Sequence, residues 1–373
     1  MMRTTWRIGK VFGIDINIDS SWLIIFALVI WTLAGSYFPQ QYPRWPTWLH
    51  WAVGAITSIL FFGSVLGHEL AHSLVAISQG EEVHSITLFI FGGVARITEE
   101  PDKPLKELLM AIVGPFFSLA TGIAFGILWF LTRGLLQPLS ALARYLATIN
   151  VSLAIFNLVP GFPLDGGRVL RALIWGLSGN LKMATRLASW AGQGIAFLFM
   201  LGGTWQIFGG QWLNGLWIIF IGWFLYSAAT SGYRQVLVKE MLEEVRAGDL
   251  MTADFATVSG DLTLQQLVDD YVLRLREHSY PVADGGNLQG IICLHDVKTV
   301  PRERWSFTRV SEVMTPRAEL ATVSPGDDGS TILARLNARD VRQLPVVDGE
   351  RLMGLLRRSD VLRYLQVRTA LGT

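Results

Sequence analysis

The sequence predicts a polytopic α-helical membrane domain of about six transmembrane helices with a re-entrant β-hairpin, followed by a cytoplasmic α/β domain. The first observation is composition: 51% of the 373 residues are hydrophobic and only 16% are charged, with a mean hydropathy of +0.39. Those values are too apolar for an ordinary soluble enzyme. The second observation is a set of six long apolar runs before residue 230, and the third is an internal repeat after residue 250.

The six apolar runs each have a length typical of a membrane-spanning helix. They cover residues 20–38, 51–77, 108–132, 142–159, 187–208 and 213–229. An even number of spans brings both termini to one side of the membrane. Lys and Arg are concentrated in the segments that share this side, and the other side carries Arg44, Arg133 and Arg144. The positive-inside rule therefore predicts a multi-pass protein of the cell membrane, in contact with the lipid bilayer, with both termini cytoplasmic.

Two segments beside these runs have the composition of β-strands. Residues 1–19 are basic and alternate apolar with smaller or polar side chains, which indicates an interfacial strand or arm. A secretory signal peptide is the competing interpretation, but the following run is long enough for a full span. Residues 83–97 are rich in β-branched and aromatic side chains around Gly92 and Gly93. They favour a hairpin or re-entrant strand pair over a plain cytoplasmic loop.

A possible metal-binding motif lies inside the second apolar run, where His68, Glu69 and His72 form the pattern H-E-x-x-H. Two histidines four residues apart lie on one face of a helix, so both imidazoles can reach one divalent ion beside the glutamate. In a soluble helix this pattern often arises by chance. Within an apolar span, ionisable groups are costly and need partners, so the motif predicts zinc-hydrolase chemistry in the membrane.

The fourth run ends in a segment that must break its helix. Two prolines and three glycines follow Asn157 and surround Asp165. Catalytic zinc sites commonly have three protein ligands, so a third ligand is needed. Asp165 alone, besides Glu69, sits against apolar sequence; the other acids of this half lie in polar flanks or loops and are Asp15, Asp19, Glu81, Glu82, Glu99, Glu100, Asp102 and Glu107. On spacing alone, Asp165 is either a ligand or a turn residue, and Asn157 is either functional or a cap.

These motifs together resemble the site-2 protease family of intramembrane zinc metalloproteases. The resemblance rests on His68–His72 and on the segment from Asn157 to Gly167, with accessory motifs at 89–95 (FIFGGVA) and 114–118 (GPFFS), and it extends from the start of the chain to near residue 230. It implies that His68, His72 and Asp165 bind one zinc ion, that Glu69 is the general base, and that Asn157 lines the catalytic centre. The implied substrates are single-span, membrane-tethered proteins. Residues 86–97 of this chain could hold the unwound helix of such a substrate by strand addition.

The last third of the chain contains two similar halves. Met251-Thr252 recurs as Met314-Thr315, which is a lag of 314 − 251 = 63. From Pro281 onward the lag becomes 345 − 281 = 64, and eight identities at one lag are hard to obtain by chance. The identical positions are 281/345, 282/346, 284/348, 285/349, 288/352, 290/354, 296/360 and 297/361.

This repeat resembles a tandem pair of CBS domains, an α/β module that often binds adenine nucleotides. The resemblance implies Asp296 and Asp360 as ribose contacts. The family usually places Ser or Thr three residues earlier, where this chain has Cys293 and Arg357. Nucleotide binding and a purely structural role in a homodimer are therefore both open. We expect a membrane-embedded domain over residues 1–232, a linker over 233–245, and repeats over 246–305 and 306–373.

Two function classes fit this organisation. The first is an intramembrane zinc metalloprotease modulated by its CBS pair, and the alternative is a CBS-regulated, metal-dependent transporter or channel. Glu69 favours the protease, because a permeation site needs no base beside two histidines. The transporter is also disfavoured because no duplicated six-span architecture is visible in the sequence. The single cysteine, Cys293, excludes an intramolecular disulfide. The net charge of +1 gives no sign of a nucleic-acid partner, and none is expected.

Overall fold

A computed structural model describes residues 5–90, 92–97, 101–275, 279–338 and 341–371. Phe91, which belongs to the predicted hairpin motif, lies outside these residues. The chain divides into two compact units, Met1–Arg234 and Gln235–Thr373. The boundary between them falls within one long helix, and each unit is described separately below.

The first unit contains a four-stranded sheet. Its strands are β1 (Thr5–Val11), β2 (Ile14–Asp19), β3 (Val83–Phe89) and β4 (Gly92–Ile97), in that order across the sheet. β1 and β2 form an antiparallel hairpin, β2 runs parallel to β3, and β3 and β4 form the second hairpin. The face of the sheet that packs on the helices carries the buried side chains of Ile14, Ile16 and Ile86. β4 therefore lies at one edge of the sheet, opposite β1.

The helices of the first unit account for all six predicted apolar runs. They are α1 (Ser20–Thr32), continuing through a π-helical turn (Leu33–Tyr37) into α2 (Phe38–Gln41), then α3 (Thr47–Ser78), α4 (Pro104–Thr132), α5 (Gln137–Asn157), α6 (Asp165–Ser178), α7 (Leu181–Phe208) and α8 (Trp212–Glu243). Within the described residues, five helices are long and apolar enough to cross a membrane: 20–41, α3, α4, α5 and α8. α7 matches the fifth run in position but is not among those five.

α6 is a helix that the sequence patterns did not indicate. It begins at Asp165, directly after the Pro- and Gly-rich segment, and ends at Ser178 before Gly179 in the left-handed conformation. The prolines at 160 and 163 end α5 and turn the chain, because proline cannot continue the hydrogen-bonded ladder. α6 then packs against α4 and α7. This turn brings the predicted third ligand to the start of a helix.

The segment expected to be a linker, residues 233–245, is helical through Glu243. Its apolar residues explain why. Val238, Leu242 and Val245 are spaced at helical intervals and pack into a hydrophobic core of the second unit. The segment is therefore structured by burial, which outweighs its polar composition.

The second unit is an α/β domain with one five-stranded sheet. Its strands are β5 (Ser279–Asp284), β6 (Asn287–Cys293), β7 (Thr315–Pro316), β8 (Gln343–Asp348) and β9 (Arg351–Arg357), ordered β5-β6-β9-β8, with β7 paired to β6. Its helices are α9 (Ala247–Leu250), α10 (Leu264–Leu267), α11 (Leu273–Leu275), α12 (Leu294–Lys298), α13 (Gly329–Ala338) and α14 (Arg358–Leu371). The antiparallel pairs β5–β6 and β8–β9 are the equivalent hairpins of the two repeats.

Each copy of the repeated Met-Thr pair contacts a strand of the other repeat. Thr252 pairs with Leu355 in the second repeat, and Thr315 pairs with Ile291 in the first. Each methionine lies against a glycine of the opposite repeat, Met251 against Gly354 and Met314 against Gly290. A side chain at either glycine would collide with that methionine, so the two repeated features, Met-Thr and glycine, are explained by one contact.

Candidate metal centre

Three of the predicted site residues converge on one point in the first unit. His68 and His72 lie on α3, and Asp165 is the first residue of α6. The two Nε2 atoms are 3.1 Å apart. The Oδ2 atom of Asp165 lies 3.1 Å from Nε2 of His68 and 3.3 Å from Nε2 of His72. Both histidines are buried and Asp165 is half-buried, so this cluster is largely shielded from the surface.

The spacing of these three atoms fits a tetrahedral metal site. Zinc binds imidazole nitrogen and carboxylate oxygen at about 2.0–2.2 Å, which places tetrahedral ligand atoms roughly 3.3–3.5 Å from one another. The observed separations of 3.1 to 3.3 Å differ from that by a few tenths of an ångström. The three atoms can therefore form one face of a zinc tetrahedron, leaving a fourth position.

The opposite nitrogen of each imidazole is held by α4. His72 Nδ1 lies 2.6 Å from the backbone oxygen of Met110, and His68 Nδ1 lies 2.9 Å from the hydroxyl oxygen of Ser118. A carbonyl oxygen can only accept, so Nδ1 of His72 carries the proton and donates. In the neutral ring, Nε2 of His72 is then unprotonated, and its lone pair points toward the cluster. Such an outer hydrogen bond is the usual companion of a metal-binding histidine.

Close approach of α4 to the two imidazoles depends on Gly114. A Cβ atom at this position would overlap Nε2 of His72 and lie 2.7 Å from Nε2 of His68. Any side chain there would occupy the space between the two rings and the helix. Gly114 of the predicted accessory motif therefore forms part of the wall of the candidate centre.

Glu69 is covered by the second hairpin. A Cβ atom at Gly93 would lie 3.0 Å from Cδ and 3.3 Å from Oε1 of Glu69. Gly92 has a φ of +130°, a backbone conformation that only glycine adopts readily. The two glycines thus let the start of β4 turn and lie directly against the carboxyl group of Glu69. This contact links the edge strand of the sheet to the H-E-x-x-H motif.

Asn157 is the last residue of α5 and is half-buried. The chain that follows it packs against the first turn of α6, because a Cβ atom at Gly166 would collide with the backbone of Leu158 and Val159. Asn157 is therefore next to the segment that carries Asp165. Of the predicted residues of the first unit, His68 and His72 on α3 and Asp165 on α6 come together, Glu69 lies between the two histidines on α3, and Asn157 lies at the end of α5.

Several site features were missed from sequence. Met110 acts through its backbone oxygen, which leaves no side-chain signal. Ser118 lies in the accessory motif, but its hydrogen bond to His68 spans 50 residues. The assignment of Glu107 to a polar flank was wrong, because Glu107 is 1% exposed and bonded to Arg171. The two arginines that follow Asp165, at 168 and 171, were the available signal that a buried acid lay nearby.

A separate cavity of about 480 Å³ lies in the second unit, between residues of the two repeats. Its lining includes Cys293, Asp296, Glu319 and Arg342. Burial, with the neighbouring Asp296 carboxylate, raises the pKa of the Cys293 thiol, so this thiol stays neutral. Asp360 is not among the lining residues that the described part of the chain provides.

Asp296 and Asp360 have the same local role. Asp296 accepts a hydrogen bond of 2.8 Å from the backbone N–H of Cys293, and Asp360 accepts one of 2.9 Å from that of Arg357. Each therefore caps the helix that closes its repeat. One carboxylate oxygen of each predicted ribose contact is already occupied by this cap.

Comparison with known proteins places these features in a family. Residues 56–142 and 135–201 match the family model described as peptidase family M50, and residues 247–303 and 310–367 match the CBS domain. The protein named zinc metalloprotease Rip3 in Mycobacterium tuberculosis is 34% identical over 370 residues, 98% of this chain and 94% of that protein. The chain belongs to peptidase family M50. It is a zinc metalloprotease of the site-2 type that carries two CBS domains.

Two further proteins resemble this M50 protease. The zinc metalloprotease sll0528 of Synechocystis is 34% identical over 373 residues, covering 99% of this chain and 97% of that relative. The solved site-2 protease from Methanocaldococcus jannaschii has a TM-score of 0.44 at 27% identity, covering 62% of this chain and 95% of that one. Family membership, together with the five long apolar helices, shows that the M50 protease is membrane-integrated and that its substrates are membrane proteins.

Proposed function

We propose that this M50 protease hydrolyses peptide bonds in or near the transmembrane segment of single-span, membrane-tethered proteins, at a centre formed by His68, His72, Asp165 and Glu69. One observation carries this proposal. Two imidazole nitrogens and a carboxylate oxygen converge within 3.3 Å of one another, and the outer hydrogen bond to Met110 leaves the His72 lone pair facing inward. Buried lone pairs that converge in this way need a cation between them.

The reaction follows from the positions of these groups. A zinc ion held by His68, His72 and Asp165 would supply Lewis acidity and would lower the pKa of a water to about 7. Glu69 is adjacent in sequence to one ligand and three residues from the other, so it takes the proton of the attacking water as general base. It then delivers that proton to the leaving amine nitrogen. The side-chain amide of Asn157 donates a hydrogen bond to the developing oxyanion or to the substrate backbone.

Replacement of Glu69 by Gln tests this assignment. The amide is nearly isosteric but cannot accept the proton, so Glu69→Gln should keep stoichiometric zinc and lose cleavage of a model single-span substrate. His72→Ala should lose both zinc and cleavage, which separates the base from a ligand. Normal cleavage by Glu69→Gln, or purified wild-type protein without stoichiometric zinc, would contradict the mechanism.

We also infer that the substrate is presented as an added strand on β4. A transmembrane helix hides its peptide bonds in internal hydrogen bonds, so it must unwind before hydrolysis. The free edge of β4 provides main-chain partners for an extended peptide. Gly93, on that strand, contacts Glu69, which supports a substrate strand next to the base. The hairpin is then at membrane depth, where β2 and the helices cover it on the β3 side and the substrate strand would cover the β4 edge.

We further propose six membrane crossings, with α7 as the additional one and both termini cytoplasmic. The distribution of Lys and Arg supports this orientation, because Arg44 and Arg133 lie in loops on the side opposite to the termini. An Arg133→Cys variant in a Cys293→Ser background should react with a membrane-impermeant maleimide added to intact cells. A Lys103→Cys variant in the same background should not react. The reverse pattern would overturn the orientation.

The CBS pair, we propose, regulates cleavage by binding an adenine nucleotide in the cavity beside Asp296. A cavity of about 480 Å³ is within the range of small-ligand sites. Its lining offers Arg342 for phosphate and the carboxylates of Asp296 and Glu319 for hydroxyl groups. For the nucleotide to act, its affinity must differ between two states of the enzyme, with a coupling of about 1–3 kcal/mol.

A further inference from the structure

A buried ion pair joins α4 to α6 beside the candidate centre. Glu107 is 1% exposed and Arg171 is 6% exposed. Arg171 donates from Nε, at 2.6 Å, and from a terminal nitrogen, at 2.5 Å, to the same oxygen of Glu107. Nε of Arg168 lies 3.9 Å from that oxygen, and the Arg171 guanidinium lies 5.2 Å from the ring centre of Phe162. The pair is therefore enclosed and held in one geometry.

Stability alone does not account for this pair. Desolvation of two charges offsets most of their attraction, and apolar residues of similar volume often stabilise a core equally well. Two donors of the rigid guanidinium plane, however, converge on one carboxylate oxygen, which restricts the direction of approach as well as the distance. What the pair supplies beyond an apolar contact is a defined rotation of one helix against the other.

The two helices that it joins hold different parts of the candidate centre. On α4, Met110 and Ser118 hold the outer nitrogens of the two histidines. On α6, Asp165 supplies the carboxylate, six residues before Arg171. The ion pair is thus a direct link between the helix that orients the imidazoles and the helix that carries the third ligand.

The required precision is high. A side-chain atom about 5 Å from a helix axis moves by roughly 2 Å when the helix rotates by about 20°. Metal ligands must lie within about 0.2 Å of their ideal distances. The first turn of α6 packs backbone to backbone on the preceding loop at Gly166 and Gly167, so no side chain of these two residues interlocks with the loop. The Glu107–Arg171 pair adds a directional side-chain contact between α4 and α6.

We propose that Glu107 and Arg171 are positioning residues that set the rotation of α6 and thereby place Asp165 for zinc. The proposal rests on the metal centre proposed above. It concerns residues that do not touch the metal or the substrate, and it assigns them an effect on metal affinity and coordination geometry.

The test uses full-length protein in detergent micelles and two probes, Zn²⁺ and Co²⁺. Zinc affinity is measured by competition with a chelator of known affinity, and the visible spectrum of bound cobalt reports coordination geometry. The variants are Glu107→Gln, Arg171→Lys and the double variant Glu107→Leu/Arg171→Met, which keeps an apolar contact if a single change prevents folding. Asp102→Asn is the matched control, because Asp102 pairs with Lys106 at 2.8 Å on the exposed side of the same helix end.

Each variant of the pair should bind zinc about 10- to 100-fold more weakly, and its cobalt spectrum should shift toward that of Asp165→Asn. Asp102→Asn should match the wild type in both measurements. A folded double variant with wild-type zinc affinity and cobalt spectrum would overturn the proposal and leave the pair a structural role. If Asp165→Asn itself kept wild-type zinc affinity, the proposed metal centre would fail, and the positioning role with it.

Discussion

The Nδ1 atom of His72 on α3 lies 2.6 Å from the backbone oxygen of Met110 on α4. Four residues further along α4, Gly114 leaves room for both imidazoles. The same helix therefore fixes the ring orientation on one side and limits the available space on the other. α4 carries none of the predicted metal ligands, yet it determines where two of them point.

Replacement of Gly114 by Ala should weaken zinc binding. The added methyl group would overlap the ring atoms of His72 and lie 2.7 Å from Nε2 of His68, so the rings or α4 must move. Overpacking of this kind costs about 1–3 kcal/mol, and we expect zinc affinity to fall by about 10- to 100-fold. Chelator competition measures it. Gly126→Ala on the same helix is the control, because its Cβ would meet only Ala147 at 3.9 Å; equal effects of both substitutions would contradict the expectation.

Proline at Ala95 should slow cleavage without affecting zinc. In an antiparallel hairpin, facing pairs alternate between hydrogen-bonded and non-bonded. Phe89 and Gly92 form the hydrogen-bonded pair that closes this hairpin, so the alternate pair Thr87 and Val94 is hydrogen-bonded as well. The next position, Ala95, is then in a non-bonded pair, and its N–H points away from β3 to the free edge of β4. Ala95→Pro removes that donor, and we expect kcat/KM to fall by about 2- to 10-fold. Ala95→Gly keeps the donor and serves as control; the strand-addition hypothesis does not survive if glycine lowers turnover as much as proline.

Nucleotide binding should distinguish the two repeated aspartates. Asp296 and Asp360 cap equivalent helices, so alanine should cost each repeat a similar amount of stability. Only Asp296 is among the residues lining the described cavity. ATP, ADP and AMP titrations of the full chain should therefore show weaker binding for Asp296→Ala than for Asp360→Ala. Absence of binding by the wild type, with cleavage unchanged by any nucleotide, would instead assign the pair an assembly role, measurable as a homodimer in solution.

Helix α13 should depend on pH through the aspartate that precedes it. The Ser330 hydroxyl and the Thr331 N–H donate to Asp328 and lower the pKa of that carboxyl. Because the folded pKa is below the unfolded value of about 3.9, this contribution to stability is present above that value and is lost as pH falls through the folded pKa.

Asp328→Ala should reduce the amide protection of α13 at neutral pH by about 0.5–2 kcal/mol. Wild type and variant should converge only as pH falls through the folded pKa of Asp328, which is below the unfolded value of about 3.9, because the wild-type carboxyl then becomes protonated. Hydrogen exchange of the full chain, corrected for intrinsic rates, measures both. Asp254→Ala is an exposed control of the same chemistry, and a difference that persists unchanged at low pH would exclude the carboxylate as its cause.

The sequence predicted local patterns better than long-range contacts. His68 and His72 were identifiable because helical spacing alone places them on one face. Asp165 was identifiable from the break around it and from the family resemblance. Glu107 was misassigned because its burial depends on Arg171, which is distant in the sequence. Contacts of that separation leave no periodic signal, and a backbone acceptor such as Met110 leaves no residue-type signal at all.

The same distinction explains the linker. Residues 233–245 are polar enough to suggest a connector, but Leu242 and Val245 belong to a core whose other fully buried members, apart from Ala247, begin only at Val323. Helical intervals between apolar residues were present in the segment. Whether those apolar residues are buried depends on a surface that only the folded second repeat provides.

That long-range core also constrains the order in which the chain can fold during synthesis. The first repeat draws its core from residues 256–314, so it can close once that segment has emerged from the ribosome. The core of the second repeat includes Leu242, which emerges earlier, and is complete only after Val361. The end of α8 must therefore wait for about 120 further residues (361 − 242 = 119) with its apolar side chains uncovered. A chain whose synthesis stops within the second repeat would keep a folded first repeat and present a permanently exposed apolar stripe, the kind of surface that chaperones and quality-control proteases recognise.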